Sequence, residues 1–189
     1  MGLDLKIDIQ QYFNRLKKTI DMVNIDEVNN LTFLLMDALE KGKQIFVMGN
    51  GGSASTASHF VCDFNKGLSY GKNKRFKFIC LNDNIPMLMA YANDVSYDDI
   101  FIESLKNYFC EGDLVIGISG SGNSKNVLKA IEWAVAHNGI TIGLTGYNGG
   151  KLKEMVSYNV HVPIDDMQIT EDIHMILNHC IIKVLGYGC

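Results

Sequence analysis

The stretch QIFVMGNGGSASTASHF, Gln44 to Phe60, holds the transition that decides the fold. Gln44 to Met48 is an almost uninterrupted apolar run, too short for a helix and suited to a strand covered on both faces. It gives way to Gly49, Asn50, Gly51, Gly52 and Ser53, and then to a segment of helical spacing that carries His59. A strand that leaves through small polar residues into a helix is the βα corner of an open α/β sheet. At such a corner backbone amides and hydroxyls face whatever lies beyond the strand ends.

Outward from this corner the same pattern recurs. Short apolar runs at Phe76–Leu81, Leu114–Ile118, Thr141–Thr145 and Tyr158–Val162 supply four more strands. Helical segments are expected at Ser53–Asn65, Ile85–Ala92, Ile100–Tyr108, Ser124–His137 and about Thr170–Leu185. Ahead of them, residues 4–41 place Tyr12, Phe13, Leu16, Ile20, Leu31, Leu34, Leu35 and Leu39 at helical spacing, which predicts two N-terminal helices broken near Asn24 to Glu27. This alternation predicts an α/β fold, a doubly wound, mainly parallel five-stranded sheet flanked by helices. With two prolines and no low-complexity tract there is no linker, so residues 1–189 read as one domain: helices over 1–41 and an α/β core with its C-terminal helix over 42–189.

Composition excludes several function classes. Hydrophobic residues at 47% and charged residues at 20% indicate a soluble globular chain. A net charge of −4 gives no general attraction to nucleic acid or anionic membrane, and the basic cluster Lys72, Lys74, Arg75 and Lys77 reads as a solvated loop. No signal-peptide pattern and no membrane-length apolar run is present, which places the protein in the cytoplasm. The five cysteines have no metal-type pair spacing and read as mostly reduced and structural.

Two loops follow strands and open helices: GNGGSAS after Met48 and SGSGNSKN after Ile118. Glycines let amides approach an anion, serine hydroxyls add donors, and the helix N-terminus adds unpaired N–H groups, so both are candidate phosphate or sugar sites. Neither has dinucleotide or P-loop spacing, and one loop alone could equally be a tight turn with a cap. Two at corresponding strand ends favour a ligand. His59 and Asp63 lie four apart on the helix after the first loop, and Glu171 and His179 eight apart on the last helix. Two carboxylates and two imidazoles suit zinc or another divalent metal, although spacing alone is equally that of a surface pair and a core histidine. His174 lies about 140° around the helix from His179 and is expected to pack or face a neighbouring subunit.

The stretches ISGSGNSKNVLKAI, GNGGSASTASHF, AYANDVSYDDIF and LTGYNGGKL resemble the sugar isomerase (SIS) domain family, and within it the phosphoheptose isomerase branch, over nearly the whole chain. The resemblance implies that Ser119, Gly120, Ser121 and Ser124 hold the phosphate of an open-chain sugar. It implies that Asn50, Gly51, Gly52, Ser53, Asn93 and Asp94 line the sugar, and that His59, Asp63, Glu171 and His179 hold zinc. It further implies an aldose–ketose isomerase acting on sedoheptulose 7-phosphate for the heptose of surface glycans, with Asp63 as base, His179 as acid and Glu171 as the alternative base. It implies a homotetramer, with the N-terminal helices buried in the assembly. Three positions depart from the family pattern: Gly120 for a threonine, Asp63 for a glutamate and Glu171 for a glutamine. These leave two other readings open, an isomerase or sensor for another sugar phosphate and a non-catalytic protein-binding factor. The retained histidines and carboxylates weigh against the second.

Overall fold

The computed structural model describes residues 4–187. Helices α1 (Lys6–Ile20) and α2 (Ile25–Lys41) precede the core, separated where the Asn24 side chain accepts the Asp26 amide and caps α2. The core runs β1 (Gln44–Gly49), α3 (Gly52–Cys62), a π-helical turn (Asp63–Leu68), β2 (Lys77–Cys80), α4 (Ile85–Asp94), a single 3₁₀ turn and α5 (Ile100–Lys106). It continues through β3 (Leu114–Ser119), α6 (Lys125–Ala136), β4 (Ile140–Thr145), α7 (Gly150–Met155), β5 (Tyr158–His161) and α8 (Met167–Tyr187).

The five strands form one sheet in the order β2-β1-β3-β4-β5, and every neighbouring pair is parallel. The expected doubly wound sheet is therefore present. Its strands are buried on both faces: Ile45 and Val47 join a core with α2, α3 and α8, while Phe46 and Met48 join the opposite core with α5 and α6. The chain winds outward from β1 to β2 and then crosses to β3 on β1's other side, so the strand order reverses between β1 and β3. In an open α/β sheet that reversal leaves a crevice at the carboxyl ends of the strands. Gly49 pairs with Ile118 there, which brings the two serine-glycine loops out at the same level.

Several elements differ from the sequence expectation. The helix expected over Ser53–Asn65 gives way at Asp63 to a π-turn that side-chain bonds hold against β2. The Asn65 amide clamps both backbone groups of Phe78 (2.8 and 3.0 Å), and Ser69 Oγ donates to the Phe64 carbonyl while accepting the Phe76 amide. α7 was not expected, and Gly149 (φ +90°) opens it. Of the cysteines expected to be structural, Cys80 is buried, while Cys62, Cys110 and Cys180 are exposed free thiols; Cys189 lies outside the described residues. The Lys72–Lys77 cluster is a loop tied to its surroundings, with Lys74 paired to Glu40 and Lys77 donating to the Gly42 carbonyl.

Candidate active site

The crevice holds a cavity of about 250 Å³, lined by Asn50–Ser53, Ile118–Ser121, Ser124, Met167 and Glu171. Gly51 (φ +54°) makes the turn out of β1 in a conformation that favours glycine, and α3 starts one residue later. Ser53 does not cap α3; it lies inside the first turn, buried, with its side chain on the cavity wall.

On the other side, Ser119 and Ser124 share a hydroxyl contact of 3.0 Å. Ser124 is the residue before α6, yet its side chain makes no capping bond. Its hydroxyl meets that of Ser119 on the cavity wall instead of closing the turn. The loop is braced from behind: the Gly146 amide donates to the Gly120 carbonyl (2.8 Å) and the Leu152 amide to the Gly122 carbonyl (2.9 Å). At Gly122 (φ +65°) a Cβ would meet the Gly149 carbonyl at 1.9 Å, so this close approach requires glycine. Gly120 has a specific neighbour too, since a Cβ there would lie 2.6 Å from the Met167 sulfur. Met167 fills the space a larger residue would take.

Asn50 lines the cavity, but its amide is engaged. It exchanges two bonds of 2.9 Å with the Asn126 amide and accepts from the Tyr97 hydroxyl at 2.8 Å. The Asn82 side chain similarly pairs with the backbone of Gly49. Asn126, Asn82 and Tyr97 thus fix the first loop. Asn126 lies within the quoted serine-glycine stretch, where its role was overlooked. Asn93 and Asp94, expected at the sugar, bond to each other at the end of α4 and line no part of this cavity.

α3 and α8 pack side by side, and the remaining candidates fall on their contact. His59 Nε2, His179 Nε2 and Asp63 Oδ2 converge, with separations of 3.1, 3.2 and 3.7 Å. Ligand atoms bound to one tetrahedral zinc at about 2.0–2.1 Å stand roughly 3.3 Å apart, so the three atoms trace one face of such a site. Two imidazole nitrogens and a carboxylate oxygen are also the donor types zinc takes. The residues present therefore fit a divalent cation. Glu171, expected in the same set, stands outside it. Its carboxylate lies over Gly52, where a Cβ would come within 2.3 Å, and it opens onto the serine-lined cavity. Among the described residues it makes no hydrogen bond or ion pair. Asn178, which sequence reasoning passed over, donates to Asp63 Oδ2 at 2.8 Å. His174 is buried behind the site, its ring facing the Thr145 carbonyl, and belongs to the packing rather than to the cluster.

Residues 10–146 match the family model described as SIS domain. Among curated proteins, the phosphoheptose isomerase of Fusobacterium nucleatum is 38% identical over 157 residues, 83% of this chain and 80% of that one. That of Helicobacter pylori is 40% identical over 146 residues, 77% of this chain and 76% of that one. Among solved structures, phosphoheptose isomerase GmhA from Neisseria gonorrhoeae superposes with a TM-score of 0.88 at 26% identity, covering 96% of this chain and 98% of that one. A phosphoheptose isomerase from Francisella tularensis gives 0.89 at 25% identity, covering 97% and 99%.

Proposed function

The chain belongs to the SIS domain family, in its phosphoheptose isomerase branch, and we propose that it interconverts sedoheptulose 7-phosphate and D-glycero-D-manno-heptose 7-phosphate. The observation that carries this reading is the alignment of two chemistries along one helix pair. Glu171 meets Gly52 beside the serine loop, and His179 meets His59 seven residues further along α3. At 1.5 Å per residue that offset is about 10 Å. A seven-carbon sugar phosphate anchored by its phosphate has the length to bring its carbonyl end between the Glu171 carboxylate and the cation.

Isomerisation removes a proton from the carbon beside the carbonyl and returns it to the neighbouring carbon through an enediolate. Ser119, Ser121, Ser124 and the α6 N-terminus hold the phosphate. Glu171 takes the proton, a role supported by a carboxylate that opens onto the cavity without a protein partner. His59, Asp63 and His179 hold the cation. A divalent ion such as zinc, when bound, supplies Lewis-acid stabilisation of the oxygen that gains charge. The acid role implied for His179 conflicts with this arrangement, because its Nε2 is the atom that faces both His59 and Asp63.

The functional unit is a homotetramer in the cytoplasm. This is supported by the half-exposed cation cluster and by apolar helix faces left open on the single chain; no described helix is long and apolar enough to cross a membrane. The test is NMR of the zinc-supplemented protein with sedoheptulose 7-phosphate in D₂O. An aldoheptose phosphate carrying deuterium at C2 is expected. Binding without conversion would overturn the isomerase reading.

A further inference from the structure

We infer that Asn178 is a positioning residue that locks Asp63 as a cation ligand; this rests on the proposed cation site. Asn178 is fully buried on α8, next in sequence to His179. Among the described residues its side chain makes one hydrogen bond, from Nδ2 to Asp63 Oδ2, and its Oδ1 has no partner.

An amide has two donors and a two-lone-pair acceptor, so this one is mostly unmatched in the interior. Leaving a buried acceptor unpaired opposes folding. The neighbouring α8 positions Ile173, Leu177 and Ile181 belong to the apolar core, and leucine at 178 would join them with no unmatched group. Packing therefore does not explain the asparagine, whereas its donor does. The direction of the amide is set by charge, because turning it over would place Oδ1 against a carboxylate.

Asp63 needs such a clamp. It is the first residue of the π-turn, where the ladder of α3 changes register, and its short side chain is partly open to solvent. Oδ2 lies 3.2 Å from His59 and 3.7 Å from His179, and the Asn178 donor holds that same oxygen from the core side. One helix thus carries both a cation ligand, His179, and the group that orients the ligand opposite. Without the amide, Asp63 is free to turn toward water and the triangular face is lost. Partners that orient ligands in this way typically change metal affinity by roughly 10–100-fold.

The experiment is a Co²⁺ titration of metal-free full-length protein, followed by visible absorption and by Zn²⁺ competition, with thermal unfolding of the metal-free forms alongside. Asn178→Leu should lose roughly 10–100-fold in cation affinity while unfolding no earlier than the wild type. In an Asp63→Asn background the same change should have no further effect, since the oxygen it orients no longer carries the charge. Should the leucine variant fail to fold, Asn178→Ala removes the donor without adding volume and is read the same way. Wild-type binding with undiminished binding by the variant would overturn the role of Asn178 and leave the site standing. Failure of the wild type to bind either ion would overturn the site itself, and the inference with it.

Discussion

Glycine at position 52 is explained by the carboxylate above it, not by its backbone, because its φ is not among the positive values. Alanine is conformationally acceptable there and favoured in a helix. The three atoms nearest the added methyl all belong to the tip of Glu171, so Gly52→Ala should displace that carboxylate and leave the fold intact. A catalytic group misplaced by about 1 Å can lose on the order of 10²-fold in rate. We therefore expect kcat for sedoheptulose 7-phosphate to fall by about that factor with an unchanged melting temperature. An unchanged kcat would remove Glu171 from proton transfer. Across the cavity, Ser121→Ala deletes one donor of the proposed phosphate site. The loss of a hydrogen bond to a charged group, roughly 1.5–3 kcal/mol, should appear as at least a tenfold weaker Kd in calorimetry. Equal affinity would place the phosphate elsewhere.

At the level of elements, what was legible in the sequence is what burial writes locally. Ile45, Phe46, Val47 and Met48 are all fully buried, so β1 reads as an uninterrupted apolar run. Asn24 is legible as the break between α1 and α2 because a cap acts on its own next turn. The π-turn was not legible, since its bonds come from Phe76 and Phe78, more than a helical turn away in sequence. Nor does an eight-residue spacing say which way a long side chain reaches, and so Glu171 was grouped with His179 although it lies over Gly52. Asn178 had no signal at all, because one polar residue on an apolar helix looks like ordinary surface. Helical spacing did separate His174 from His179, and the structure gives this a measurable consequence. Burial pushes the His174 imidazole from 6.5 down to about 4, with His161 nearby acting in the same direction. The unfolded chain therefore binds the proton more readily. Stability is fully present above pH 6.5 and is lost as pH falls toward 4. Urea denaturation at pH 7 and pH 4.5 should show the wild type losing about 2–3 kcal/mol more than His174→Leu over that interval. Equal losses would mean that water reaches the ring in the folded state.

For the molecule as a whole, the telling feature is that α1 carries apolar side chains on its outer side as well as its inner one. Tyr12 and Leu16 pack against the core, Tyr12 donates to Asp172 and the exposed Arg15 pairs with Asp166 at 2.9 Å, while Ile7, Ile9 and Phe13 stay exposed. α4 buries none of its residues, although it carries Ile85 and Met89. Exposed apolar side chains gathered on two helices are the kind of surface that association covers. α4 also ends in Asn93 and Asp94, which line no part of their own chain's cavity. On the proposed reading, assembly and catalysis are coupled. Ile7→Glu with Phe13→Glu alters only outward-facing side chains, so the chain should still fold. Each glutamate buried without a partner opposes association by several kcal/mol. Sedimentation velocity should show the proposed tetramer replaced by smaller species, and specific activity should fall with it and rise again with protein concentration. A dissociated variant that keeps full turnover would show that each site is complete within one chain.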